Sequence, residues 1–279
     1  MINKIGACLS SDNLRNPLGK DFFNAAAEKL RPRLLAYLYR RLADRGEAED
    51  LCQEALLEAY TALSESKAEA AFREGLFQIA SRLADRAAEG AQPWGESSLE
   101  VLQDYLLEHE ATQNELQETL ESREEEYSLA DHVDFCFTVT LQSLFPRERN
   151  AFLLTQMEGF TAREAAGVMG ASPEEVEEKA ASASESLQEN FAERCSLVKA
   201  GAPCKQCRVF GEWLLGPEEA EDELRGLPLQ PSVKPEATFP KRLQLVLRID
   251  PLHNGSDRFH EQLLQLLRRA LGEKGLLKP

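Results

Sequence analysis

Apolar residues recur along most of the chain every three to four positions, the spacing that places side chains on one face of an α-helix. We expect helices over residues 47–63, 70–89 and 257–271, where this period is clearest. Alternation typical of β-strands is scarce, and residues 244–249 fit either a short strand or a helical turn. The pattern predicts an all-α protein.

The same stripes predict which side chains form the core. An earlier helix carries a similar stripe, and Pro32 is expected to kink or restart it. The predicted inward residues are Phe22, Ala26, Leu30, Leu34, Tyr37 and Leu38, then Ala48, Leu51, Cys52, Ala55, Ala59 and Leu63, then Phe72, Leu76, Ile79, Ala80 and Leu83, and finally Phe259, Leu263, Leu266, Leu267 and Ala270.

Charge runs and helix-breaking residues divide the chain into segments. Residues 91–130 hold eleven acidic side chains and one basic side chain, which is typical of a solvated spacer. A nucleic-acid-mimicking or autoinhibitory strip is the alternative interpretation. The predicted organisation is an N-terminal arm (1–18), a helical domain (19–90), an acidic linker (91–130), a second helical domain (131–193), a Cys-containing segment (194–216), and a linker with a C-terminal extension (217–279).

The formal net charge of −16 limits the partners that the chain can have. Such a chain does not coat nucleic acid or an anionic membrane nonspecifically, and it suits a basic protein partner better. No apolar run approaches a membrane span and the first residues lack a signal-peptide core, so a cytoplasmic location is expected. No nucleophile elbow, phosphate loop or metallohydrolase motif occurs, so we predict no enzymatic activity.

Residues 161–191 carry the signature of a helix-turn-helix. Thr161 with Glu164 and Ser172 with Glu175 form two capping boxes, and Gly170 separates the two predicted helices. In this motif the second helix lies in the DNA major groove. From residue 172 to 193, however, it carries seven Glu and one Lys, and this net charge of −6 opposes binding to phosphates.

Three stretches together resemble a known family. They are EAEDLCQEALLEAYTAL (47–63), AFREGLFQIASRLADRAAEG (71–90) and the segment from LFPRERN through the helix-turn-helix. They resemble regions 2 and 4 of the extracytoplasmic-function (ECF) sigma factors, the small bacterial transcription initiation factors. Order and spacing agree with that family. The resemblance implies a region 2-like bundle and a region 4-like helix-turn-helix, joined by the acidic linker.

The resemblance also implies roles for particular residues. The helix with Glu49, Asp50, Gln53 and Glu54 would dock on the clamp helices of RNA polymerase. Basic residues of region 2 would contact the downstream promoter element, and polar residues of region 4 the upstream one. The DNA-binding candidates are Arg73, Arg82 and Arg86 in region 2, and Arg163, Lys179, Ser182 and Ser186 in region 4.

Two functions follow from this reading. The first is a sigma factor that binds core RNA polymerase and directs it to particular promoters, with promoter DNA and a regulatory protein such as an anti-sigma factor as further partners. The alternative is a sigma-like interaction protein, which docks on polymerase, reads DNA poorly and modulates transcription through another partner. The basic helix near the C-terminus is expected to fold onto the acidic linker or the acidic second helix as an autoinhibitory contact.

Cys195, Cys204 and Cys207 follow one another as C-x8-C-x2-C. The last pair has the spacing of metal ligands, and the three thiols are candidate ligands of a structural zinc whose fourth ligand would be His132 or Cys136. A redox switch and three reduced thiols at a helix-to-loop junction are the alternative interpretations. No cofactor is required for the predicted function.

Overall fold

The computed structural model describes residues 17–63, 68–121, 128–229, 234–252 and 257–277. These residues fold into α-helices, and their one β-type contact is an isolated bridge between Cys195 and Cys204. The predicted all-α class is therefore confirmed. None of the helices in the described ranges is long and apolar enough to cross a membrane. The predicted N-terminal arm lies outside the described residues, apart from its last two, which begin the first helix.

The helices follow one another with short connections. Those of the first half are α1 (Pro17–Leu42), α2 (Arg45–Leu63), α3 (Glu69–Ala87), α4 (Ser98–Glu108), α5 (Glu110–Glu121) and α6 (Leu129–Leu141). Those of the second half are α7 (Pro146–Phe152), a π-helix (Leu153–Met157), α8 (Ala162–Met169), α9 (Pro173–Arg194), α10 (Gln206–Leu215), α11 (Pro217–Gly226), a 3₁₀ turn (Pro235–Thr238), α12 (Phe239–Val246) and α13 (Asp257–Glu273).

The helix α6 is the centre of the molecule. Nearly all of its side chains are buried, and it contacts α1, α4, α9, α10 and α12. Its sequence, LADHVDFCFTVTL, places apolar side chains on all sides, as a helix surrounded by others needs, and its few polar side chains are buried with them. Ser128 caps its start by accepting a hydrogen bond from the N–H of Asp131, whose carboxylate accepts one from the N–H of Ser128 in return.

The helices α1, α2 and α3 pack against one another as the apolar stripes predict. Every predicted inward residue of α3 is buried, and so are Ala48, Cys52, Ala55 and Ala59 of α2. The helix α1 continues through Pro32 without a break, although this residue has no N–H to donate to the carbonyl of the preceding turn. The predicted restart at Pro32 is therefore not observed.

The predicted helix-turn-helix consists of α8, a turn at Gly170, and α9. Thr161 and Glu164 form the expected capping box, and Gly170 adopts the left-handed conformation with φ of 60°. The hydroxyl of Ser172 accepts the N–H of Glu175 at 3.1 Å and caps α9. A glycine suits the left-handed position because any Cβ there is strained.

Two segments interpreted as linkers contain packed helices. The described part of 91–130 forms α4 and α5, and the apolar face of α4 packs on α13 and α6. Residues 217–226 form α11, which packs on α10, and residues 244–246 close α12 rather than forming a strand. The many acidic residues of 91–130 suggested a solvated spacer, but Leu99, Leu102 and Leu106 of the same segment point inward and are buried.

Candidate protein- and DNA-binding surfaces

The outer face of α2 presents polar and acidic side chains together with one leucine. Asp50, Gln53 and Glu54 are exposed on adjacent turns, and Leu57, one turn further, is 55% exposed. We call these four residues the docking face. The opposite side of the helix is buried against α1 and α3, so the hydrophobic interior fixes the direction in which the docking face points.

The beginning of α2 is held by local hydrogen bonds. The N–H of Glu47 donates to Asp44 at 2.9 Å, and Arg45 donates to Glu49 at 2.8 Å one turn apart. Although partial burial raises the pKa of Asp44, the hydrogen bonds from Glu47 and Arg268 lower it below its usual value. Glu49 is half-buried and paired with Arg45, whereas Asp50, Gln53 and Glu54 are exposed.

Two of the three α3 arginines predicted to contact DNA lie beside carboxylates of α2. Arg82 donates to both carboxylate oxygens of Glu58 at 2.5 and 2.6 Å, and Arg86 lies 3.6 Å from Glu54. All four side chains remain substantially exposed, and exposed ion pairs contribute little free energy. Arg82 and Arg86 thus remain available to an external phosphate.

Arg73 is engaged inside the molecule. It donates to the carbonyl oxygen of Glu158, and its guanidinium carbon lies 3.8 Å from the centre of the Phe160 ring. Burial, followed by the neighbouring charge of Arg33, lowers the pKa of Arg73. A residue that the family resemblance assigns to DNA instead joins α3 to the segment between the π-helix and α8.

The contact around Arg73 extends along α3 and α8. Gln78 donates to the carbonyl of Gly167 at 3.2 Å, and a methyl group at Gly167 would meet the carboxylate of Glu74. Arg33 of α1 donates to the carboxylate and the carbonyl of Glu158 at 3.1 and 2.8 Å. The first helix of the predicted helix-turn-helix therefore packs directly on the predicted promoter-reading helix.

The outer face of α9 is acidic, as its sequence predicts. Glu177, Glu178, Glu185 and Glu189 are exposed, whereas Lys179 is half-buried. The remaining candidates are scattered: Ser182 donates to Glu148 at 3.4 Å, Ser186 is exposed on α9, and Arg163 is exposed on α8. The structure brings no basic cluster to this face among the described residues, and the contacts of these side chains with DNA stay a prediction.

The three cysteines predicted to bind zinc are all buried near the junction of α9 and α10. Cys136 of α6 lies with them and interacts electrostatically with each. In the described ranges, however, no three Cys, His, Asp or Glu side chains are placed so that they could hold a metal ion. The assignment of Cys195, Cys204 and Cys207 as metal ligands stays a prediction that this geometry does not support.

Two family models match the chain. One, described as Sigma-70 region 2, matches residues 26–90, which contain most of α1 and all of α2 and α3. The other, described as the sigma-like domain of the response regulator PhyR, matches residues 141–190, which contain α7, α8 and most of α9. Together the two matches support a resemblance of the chain to the ECF-type sigma factors. No match to the chain was found among curated proteins.

A buried polar network joins the two matched segments, and the sequence analysis missed it. Tyr37 donates to Asn150 at 2.7 Å, and Asn150 donates to Ser81 at 2.8 Å. Arg149 donates to the carbonyl of Arg41 at 2.5 Å and to that of Leu144 at 3.0 Å. The only sequence signal was the polar run PRERN directly before an apolar stretch, because polar residues in a packed helix need internal partners.

Proposed function

We propose that this protein binds core RNA polymerase through the docking face of α2 and acts as a sigma factor that directs promoter-specific transcription initiation. The observation that carries the proposal is the exposed trio Asp50, Gln53 and Glu54 within the segment matched by the Sigma-70 region 2 model. The proposal implies a cytoplasmic protein, because bacterial RNA polymerase acts there.

The docking face has the features of a protein contact. Its carboxylates suit a partner surface rich in Arg and Lys, and such complementary charge speeds association and selects the partner. Leu57 adds an exposed apolar side chain beside the charges, and protein interfaces commonly combine an apolar centre with a polar rim. A rigid helix presents the whole face, so little ordering free energy is lost on binding.

A sigma-like interaction protein that docks on polymerase but reads DNA poorly is the second candidate. Two observations favour it: Arg73 is occupied by Glu158 and Phe160, and α9 presents carboxylates where the motif would meet phosphates. The second family model also describes a sigma-like domain of a response regulator. In this case transcription would be modulated through a further protein partner, such as an anti-sigma factor.

Co-purification with bacterial core RNA polymerase tests the shared part of both functions. We expect the native chain to bind and the double variant Asp50→Ala/Glu54→Ala to lose most of its affinity. Glu185→Ala/Glu189→Ala is the matched control, because it removes two exposed carboxylates at the same spacing from α9. Absence of binding by the folded native chain, or an equal loss in the control, would overturn the proposed docking face.

In vitro transcription separates the two candidates. Core polymerase with the native chain is given fragmented genomic DNA, and the 5′ ends of the transcripts are compared with those made by core polymerase alone. A sigma factor produces a small set of defined start sites. If the chain binds polymerase and yields no new start sites, the second candidate is correct.

A further inference from the structure

Four cysteines from separate parts of the chain meet around one buried arginine. Cys136 lies on α6, Cys195 ends α9, and Cys204 and Cys207 lie at the start of α10 or just before it. All four are at most 8% exposed, and every pair among them interacts electrostatically. Arg242 of α12 is completely buried beside them.

The guanidinium of Arg242 has no carboxylate partner among the described residues. Its Nη2 donates to the sulfur of Cys195 at 3.1 Å, and its carbon lies 4.0 Å from the centre of the Phe191 ring. Burial lowers the pKa of Arg242, but the thiols of Cys195, Cys136 and Cys207 raise it above its ordinary value. A buried charge is costly without a nearby opposite charge, and the thiols of this cluster are the groups that lie against the guanidinium.

Three of the four thiols are poor sources of that opposite charge. Burial raises the pKa of Cys136 to about 12, and it raises the pKa values of Cys204 and Cys207 well above the usual range. The nearby carboxylate of Glu100 adds to the shift at Cys136 and Cys204, although it lies 3.2 Å from Arg194. Cys195 differs from them by its geometry, because its sulfur receives the hydrogen bond from the buried guanidinium of Arg242 and so lies against a positive charge.

Cys204 lies directly opposite Cys195. The two residues form an isolated parallel bridge, in which the N–H of Ser196 donates to the carbonyl of Cys204 at 3.1 Å and the N–H of Cys204 donates to that of Arg194 at 3.0 Å. Backbone pairing of this kind holds the two Cα atoms within the range over which a disulfide forms. The segment between them includes exposed residues at 200, 201 and 203, so this pair lies near the surface.

We propose that Cys195 is the reactive thiol of this four-cysteine cluster, and that a peroxide converts Cys195 and Cys204 into a disulfide. The sulfur of Cys195 attacks one peroxide oxygen, the O–O bond breaks, and a sulfenic acid forms with release of hydroxide. The sulfur of Cys204 then attacks the sulfur of Cys195 and displaces the hydroxyl group, which leaves as water with the proton of Cys204. The two sulfurs together lose two electrons, and the peroxide gains them.

This assignment differs from the zinc site that the cysteine spacing suggests. A bound zinc would need all of its thiol ligands deprotonated and within bonding distance of one point. The described residues offer no such arrangement, and the guanidinium of Arg242 already supplies positive charge to the cluster. The buried arginine thereby favours one charged sulfur over a set of four.

Pulse alkylation with iodoacetamide, followed by peptide mass spectrometry of the full-length reduced protein, tests which thiol reacts. We expect Cys195 to be labelled about tenfold faster than Cys136, Cys204 or Cys207 at neutral pH. Arg242→Gln should slow labelling of Cys195 by about the same factor, while Arg242→Lys, which keeps the charge, should preserve much of the rate. Equal labelling of the four thiols in the wild-type protein would overturn the assignment, whether or not the variants fold.

Hydrogen peroxide tests the second half of the proposal. We expect a disulfide-linked peptide pair containing Cys195 and Cys204, with a mass loss of two hydrogen atoms. In Cys204→Ser the reaction should stop at a sulfenic acid on Cys195 that dimedone traps. A disulfide that joins other cysteines, or one equivalent of zinc that protects all four thiols in the purified protein, would show the proposal to be incorrect.

Discussion

Single buried polar residues hold the two matched segments together. Tyr37 lies on the predicted apolar stripe of α1, yet its hydroxyl donates to Asn150 on α7 and accepts a hydrogen bond from Arg41 at 3.1 Å. Burial raises the pKa of Tyr37, so the hydroxyl keeps its proton for the bond to Asn150. An apolar period identifies such a residue as internal, but it does not reveal the partner of its polar atom.

Removing that hydroxyl should therefore destabilise the protein. Tyr37→Phe leaves the side-chain oxygen of Asn150 buried without its donor, and we expect the free energy of unfolding to fall by about 1–3 kcal/mol. Tyr60→Phe is the control, because its hydroxyl has no hydrogen bond in the described structure, and it should change stability by less than about 0.5 kcal/mol. Urea denaturation measures both; similar losses in the two variants would contradict the assigned role.

His132 gives the fold a defined acid sensitivity. Burial lowers its pKa to about 3, while in an unfolded chain the pKa is about 6.5. Above about pH 6.5 the imidazole is neutral in both states, and between about pH 6.5 and pH 3 only the unfolded state takes up the proton. Stability contributed by His132 is therefore present at neutral pH and is lost as the pH falls from about 6.5 toward 3.

Between pH 7 and pH 5 this effect amounts to about 2 kcal/mol. The neutral variant His132→Gln lacks the titrating group, so its unfolding free energy should change less over this interval than that of the wild-type protein. Urea denaturation at the two pH values measures the difference. The other titratable groups are the same in both proteins, so their contributions to the pH dependence cancel in the comparison. Identical pH dependences would exclude His132 as the source.

At the scale of single elements, the helices and their inner faces could be predicted, but not what their outer faces meet. The period of three to four residues placed Phe72, Leu76 and Leu83 inside, and all three are buried. Arg73 lies on the same helix. The spacing of apolar residues does not distinguish an arginine that contacts DNA from one that packs on Phe160. Pairing between distant helices depends on shape and distance, which a one-dimensional pattern does not contain.

The charge of α9 decides whether this helix can approach DNA. Glu177→Lys/Glu178→Lys changes the local charge by about +4, so binding to any DNA duplex should strengthen by about tenfold and fall more steeply with salt. Glu218→Lys/Glu219→Lys on α11 makes the same change in total charge at exposed positions elsewhere. Fluorescence anisotropy over a salt series measures both. An equal gain in the two variants would mean that net charge, and not α9, sets the affinity.

At the scale of the whole molecule, the C-terminal extension is part of the core. The contact predicted between the last helix and the acidic segment is observed, but it is apolar: Phe259, Leu263 and Leu267 are buried where α13 meets α4. The sequence did not predict this apolar contact, because the charged residues of 91–130 outnumber the few leucines that point inward. An autoinhibitory role for the contact stays a prediction.

One arginine of the extension reaches the beginning of α2. Arg268 donates to Asp44 at 2.6 Å and to the carbonyl of Ala43 at 3.1 Å, whereas its neighbour Arg269 is exposed. We expect Arg268→Ala to lower the unfolding free energy by about 1 kcal/mol and Arg269→Ala to leave it unchanged. Thermal unfolding measures both. If the extension also restrains the docking face, polymerase affinity should rise in Arg268→Ala alone, and equal affinities would argue against that restraint.

Residues Leu153–Met157 form a π-helix, in which each hydrogen bond spans five residues instead of four. This turn therefore holds one residue more than a turn of α-helix would. One residue rotates the following chain by about 100° around a helix axis. The N–H of Phe160 bonds back to the carbonyl of Leu154 at 2.9 Å, and the Phe160 ring then lies over the guanidinium of Arg73. A chain shortened by one residue here would keep both helical halves intact and turn Phe160 away from its arginine. The extra residue of this one turn therefore sets how the helices on either side of it are rotated relative to each other, and with that the position of Phe160 over Arg73.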